Sequence, residues 1–196
     1  MNAPLEIPEA LFIGYIVRPK LERPEWSRLK PAGVESICSV ARCSVPEGFD
    51  ELFDWRDNGM RAYDTPELAW SIMEAESRPQ CDLFAYWTYP VRYVLGTQHR
   101  YSIPPVKPIP MDASFVKLGY DVVSWEPDHS FFGHSPLSCN GLAAEVPINR
   151  YCLLDTAEEA FALAPTLEVP GQPMRGEPGP YHIVEVWRQR VSPPTS

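Results

Sequence analysis

Residues Asp82 to Val94 read DLFAYWTYPVRYV. Leu83, Ala85, Trp87, Tyr89, Val91 and Tyr93 place an apolar side chain at every second position, the period of a strand with one face buried. Pro90 has no N–H to give to a neighbour, which predicts an edge position or a bend there. Working outward, three further stretches have the β-branched and aromatic content of strands: 11–18 (LFIGYIVR, stopped at Pro19), 119–125 (GYDVVSW) and 181–188 (YHIVEVWR). Residues 35–42 (ESICSVAR) make a weaker candidate.

Helices are fewer. Thr65 followed by Pro66 is an N-cap and first-turn pair opening TPELAWSIMEAE, with Leu68, Ile72 and Met73 as its apolar stripe. Thr156 with Glu159 forms a capping box for AEEAFALA, which stops at Pro165. Short helical turns are expected at 49–55 and 139–146. The 23 prolines keep all elements short, and residues 103–110 and 165–180 read as Pro-rich loops. The order of elements predicts an α+β fold: one domain over 1–188 and a flexible tail over 189–196. Its sheet should be mixed or largely antiparallel, with about five to six strands. Neither a regular βαβ alternation nor a G-x-G-x-x-G or P-loop motif is present, which argues against nucleotide binding by those routes.

The 196 residues carry 17 basic and 26 acidic side chains, a net charge of -9, with 44% hydrophobic content. A chain of this length and composition has enough apolar surface for its own core. The sign of the charge repels phosphate backbones and anionic lipid, and so disfavours nucleic acid and membrane as partners; a protein with a basic surface is the partner it suits. The apolar run Leu11–Val17 is only seven residues long and is followed by Arg18 and Pro19, which matches neither a membrane span nor a signal peptide. The expected location is therefore cytoplasmic. There the five cysteines, Cys38, Cys43, Cys81, Cys139 and Cys152, would be free thiols or metal ligands rather than disulfides.

The densest collection of reactive side chains is 128–141, DHSFFGHSPLSCNG. Polar clustering on a loop after a strand makes His129, His134, Ser135, Ser138, Cys139 and Asn140 the expected ligand-facing set. Gly133-His134-Ser135 begins like a serine nucleophile elbow, but Leu137 stands where the second glycine belongs. Pro136 also removes the N–H that would supply half the oxyanion hole. A Cys139 nucleophile with His134 or His129 as base is a second reading. A third is structural zinc held by Cys38, Cys43, His134 and Cys139, a Cys3His composition. Against zinc, Cys38 and Cys43 in one straight strand would lie roughly 16 Å apart on opposite faces. Serines and asparagine bonding their own backbone in a turn account for the same residues without a ligand.

Glu185 lies in the middle of YHIVEVWR, a carboxylate on a strand, with Arg18 as a candidate partner and His182 on the other face. The early strand ending in Arg18 (YIVR), then YDTPELAWSIM, LGYDVVS and a late strand bearing Glu185, resemble ADP-ribosyltransferase-like domains in their order. That resemblance implies an NAD-using enzyme in which Arg18 contacts NAD and Glu185 is catalytic. The six tryptophans suit packing, with Trp55 and Trp125 as candidates to line a pocket. Taken together, the residues favour a non-enzymatic cytosolic binding domain without a cofactor. Such an acidic protein-interaction module would suit an immunity or antitoxin role. The alternatives are the NAD-using enzyme and a small zinc module.

Overall fold

The computed structural model describes residues 6–20, 33–41, 62–102, 111–124, 133–139, 141–167 and 179–190. The sheet forms around β2 (Cys81–Val94), fourteen residues long and buried at most positions. Along one edge its first half pairs with β1 (Leu11–Pro19), and beyond β1 it turns back on itself into β3 (Thr97–Arg100). Along the other edge runs β5 (Tyr181–Gln189), which pairs in turn with β4 (Phe115–Ser124). Every pairing is antiparallel and the order is β1-β2-β5-β4, so the fold is α+β with a single five-stranded antiparallel sheet.

Pro90 sits inside β2, where the register against β5 shifts between Thr88 and Arg92. The bend inferred from the proline is thus a bulge, and it lets a central strand tolerate a residue that cannot donate. β3 has no apolar alternation and all four of its residues are exposed, so periodicity could not find it. The turn makes it: Leu95 (φ 50) and Gly96 (φ 74) both take the positive φ of a tight hairpin. Residues 35–41 do not join the sheet. Glu35 and Ser36 donate to the Arg150 carbonyl and Cys38 to that of Tyr151, while Cys38, Val40 and Ala41 pack down onto a sheet face. The segment is a strap over the sheet rather than a strand in it.

Two short helices cover the opposite face. α1 (Pro66–Ser71) is capped by Thr65 and is shorter than its sequence pattern, and it buries Ala69 where the stripe placed Leu68, which is 36% exposed. Trp70, Ile72 and Met73 pack against the sheet beside it. α2 (Ala157–Leu163) has both hydrogen bonds of the capping box and continues through Pro165 as a 3-10 turn. It drives Phe161 edge-on against Tyr89, with ring centroids 5.1 Å apart. Gln189 and Arg190, which the sequence assigns to the tail, are held: Gln189 closes β5 and Arg190 N–H donates to the Ser114 carbonyl at 2.7 Å. The helical turn expected at 49–55 and the Pro-rich stretch 103–110 lie outside the described residues, as does most of 165–180. Among the described residues no helix is long and apolar enough to cross a membrane.

Gly119 adopts φ 146 where β4 slips one residue against β5, and a Cβ there would come within 2.4 Å of the Leu154 carbonyl oxygen. That carbonyl accepts from Tyr120 N–H in the bridge tying the 149–155 segment to β4, so it has little room to retreat. Gly119→Ala is expected to destabilise the fold by roughly 2–4 kcal/mol, read from urea unfolding midpoints. A change under about 0.5 kcal/mol would contradict this account of the bulge.

Candidate functional site

Antiparallel pairing sets the end of β1, the start of β2 and the end of β5 side by side. Each of these strand ends is charged. Arg18 pairs in register with Asp82 and Arg188 with Phe84, so Arg18, Asp82 and Arg188 all point to the strap face. Lys20 N–H continues the ladder to the Gln80 carbonyl, and its ammonium reaches the Pro79 carbonyl at 2.8 Å. Between these ends and the strap lies a cavity of about 420 Å3, with Ser36, Ile37 and Cys38 as its roof and Phe84 and Val116 on its floor.

Among the described residues four cationic side chains, Arg18, Lys20, Arg188 and Arg190, line this cavity with one carboxylate, Asp82. Asp82 is shared between Lys20 at 4.0 Å and Arg188 at 3.6 Å. Arg190 is exposed and has no ion pair among the described residues. The Cys38 thiol also faces the space. Burial pushes its pKa up, against the pull of its Ser36 contact and of the Arg188 and Arg18 charges, so it stays a thiol at neutral pH and a poor nucleophile. A positively lined hollow in an acidic chain can hold an anion, and Cys38 does not supply it with an activated nucleophile.

The strap above the cavity is held from below. Arg18, 5% exposed, donates to the Ser39 carbonyl and, at 3.0 Å, to the Ala41 carbonyl. The Ser39 hydroxyl in turn donates to Oδ2 of the fully buried Asp121 on β4. Oδ1 of Asp121 accepts from the Ser135 hydroxyl at 2.7 Å and from Val122 N–H at 2.9 Å. Burial raises the Asp121 pKa to about 6, even though these three hydrogen bonds and the Arg18 charge pull it down.

Glu185 and Arg18 do not meet. Glu185 stands opposite Trp87 and Arg18 opposite Asp82, five residues apart on β2 and on opposite faces. The partner of Glu185 is Lys117 at 3.0 Å, with the Trp187 indole N–H donating to the same oxygen at 2.6 Å and the Tyr89 hydroxyl to the other at 3.4 Å. The Lys117 ammonium also donates to the Tyr120 hydroxyl at 2.9 Å and lies over the Tyr120 and Trp187 rings. Desolvation works against its charge, but Tyr120 and Glu185 outweigh it and the Lys117 pKa ends above the ordinary value. His182 is fully buried on the face away from Glu185, its Nδ1 2.9 Å from the Tyr101 hydroxyl.

The loop after β4 turns inward. Ser135 is fully buried on Asp121, and half-buried His134 is held by its backbone, its N–H donating to the Ser124 hydroxyl and its carbonyl accepting from Ser124 N–H. Ser138 N–H points back at the Ser135 hydroxyl, 3.4 Å away. Cys139 is disulfide-bonded to a partner outside the described residues, while Cys38, Cys81 and Cys152 are free and buried. This corrects the expectation of free thiols throughout. It also takes a sulfur from the Cys3His set, since a disulfide sulfur is not the thiolate zinc needs. Cys43, His129, Asn140, Trp55 and Trp125 lie outside the described residues, among which no group of three or more potential metal ligands occurs.

Lys20, Asp82, Arg188 and Arg190 were missed because single charges at strand ends carry no local pattern. The signal was there as YIVRPK, QCD and WRQR, three charged strand ends, but it has meaning only once the strand order is known. No known protein family, curated protein or solved structure matches this chain.

Asp121 yields a pH prediction. Its carboxyl titrates near 3.8 when unfolded and near 6 when folded, so the folded chain holds the proton more tightly. The resulting stabilisation is complete below about pH 4 and is lost as pH rises through 6, at most roughly 3 kcal/mol. In urea unfolding between pH 4 and 7, Asp121→Asn should remove that part of the slope. Parallel profiles for the two proteins would rule it out.

Proposed function

We propose that this domain binds an anionic group in the cavity at the β1, β2 and β5 ends. The observation that carries this reading is the imbalance, among the described residues, of four cations to one carboxylate around a 420 Å3 hollow in a chain of net charge -9. Lys20, Arg188 and Arg190 face a single carboxylate, Asp82, among the described residues, and an anionic ligand would relieve the repulsion between them. The volume suits a small molecule or a short segment of a larger one. Arg188 supplies a planar N–H fork matched to carboxylate or phosphate oxygens, Arg18 adds its charge from beneath the strap, and Lys20 and Arg190 reach in from the exposed rim.

A second reading is a domain that meets a basic protein partner through its acidic surface. The same polarisation favours it, because concentrating four cations in one cavity leaves the rest of the molecule more acidic than its total charge suggests. Such a partner would associate in a salt-sensitive way and would not compete with an anion for the cavity.

Inorganic pyrophosphate is a suitable first probe. Titration should show saturable binding by calorimetry and a rise in unfolding temperature that grows with ligand concentration. Arg190→Ala should leave the free protein's stability unchanged and weaken binding about tenfold, near 1.4 kcal/mol. Absence of saturable binding at low ionic strength, or an affinity indifferent to Arg190, would sink the anion-binding reading.

A further inference from the structure

The cavity does not end at the strand tips. It shares Lys20, Asp82 and Arg190 with a second recess of about 310 Å3 on the far side of the β2 start. That recess shares Trp70 and Arg78 with a third, of about 440 Å3, against the end of α1. The three form one groove running round the end of the sheet. Its cations are strung along it: Arg18 and Arg188 only in the first part, Lys20 and Arg190 in the first and second, Arg78 in the second and third. Among the described residues two carboxylates interrupt the series, Asp82 on the wall between the first two parts and Glu67 at the far end.

We infer that the groove takes an extended acidic peptide segment of a partner protein, with carboxylates on alternate residues facing the cations and an apolar side chain seated against Trp70. This rests on the anion-binding reading and names the source of the anion. A compact phosphate is satisfied by the first cavity and leaves Arg78 unused, whereas an extended chain presents same-side carboxylates about 7 Å apart and meets cations in all three parts. Trp70 supplies the aromatic anchor. It is half-buried and packed on the sheet, and its carbonyl accepts from Arg78 Nη2 at 3.2 Å, which holds the guanidinium at the end of α1 in the same two recesses that Trp70 lines. Arg78 is exposed and pairs with no carboxylate among the described residues, so its charge is available to a ligand.

The test uses the full chain and four probes in calorimetry at low salt. One is a capped hexapeptide with phenylalanine at one end and glutamate alternating with serine; another has glutamine in place of glutamate; the last two are inorganic pyrophosphate and ADP. The glutamate peptide should bind at least tenfold tighter than pyrophosphate, and the glutamine peptide at least tenfold more weakly than its glutamate counterpart. Arg78→Ala, folded by its melting curve, should weaken the glutamate peptide several-fold and leave pyrophosphate unchanged. Pyrophosphate binding with no gain for the peptide, tighter binding of ADP than of the peptide, or a peptide affinity indifferent to Arg78 would overturn the inference while leaving anion binding intact. Binding of none of the four would remove both.

Discussion

The Arg18 guanidinium is the point on which this arrangement turns. It sits buried at the end of an edge strand, where an unpartnered charge would be severely penalised. Its donors go to the Ser39 and Ala41 carbonyls, so the desolvated cation holds the strap against the sheet. The strap answers from its other side: the Ser39 hydroxyl reaches the buried Asp121, which also collects Ser135 from the loop after β4. A cation near one edge of the sheet and a carboxylate at the other thus clamp two irregular segments that have few regular hydrogen bonds of their own. Buried groups of this kind are costly when one partner is lost, which makes the strap's position strongly specified.

Specifying the strap also shapes the candidate site. Ser36, Ile37 and Cys38 roof the cavity because Arg18 and Asp121 hold the residues that follow them, and Arg18 itself lines the space. The proposed binding and the architecture therefore share a side chain. The remaining cations, Lys20, Arg188 and Arg190, contribute charge from the open side. The other charged cluster, Glu185 with Lys117, Trp187, Tyr120 and Tyr89, lies on the helix-covered face. There a half-buried carboxylate is matched by a lysine and two further donors, the usual solution to placing a charge among aromatic rings.

Legibility followed the range of the interactions. β2 was readable along almost its whole length because its alternation is local, and Thr156 with Glu159 announced α2 because a capping box spans four residues. β3 was hidden because its turn, not its side chains, creates it. Residues 35–42 read only as a weak strand candidate, and the backbone partners of Glu35, Ser36 and Cys38 are Arg150 and Tyr151, more than a hundred residues away. In the site, Arg18 and Glu185 were each visible as charges in strands, and Ser135 as part of a polar loop. Nothing local said that Arg18 would turn to a strap, Glu185 to Lys117, or Ser135 to Asp121.

What the amino-acid order determined by itself was therefore the α+β class, the main strands, both helix starts and the acidic balance of the chain, since each depends on propensity, period or composition within a short window. The tertiary structure alone decided which strand ends became neighbours, which face each charge took, and that the strap would close over them. Those choices rest on strand order and on hydrogen bonds between residues such as Ser39 and Asp121, 82 positions apart. Contacts at that separation leave no periodic trace in the chain.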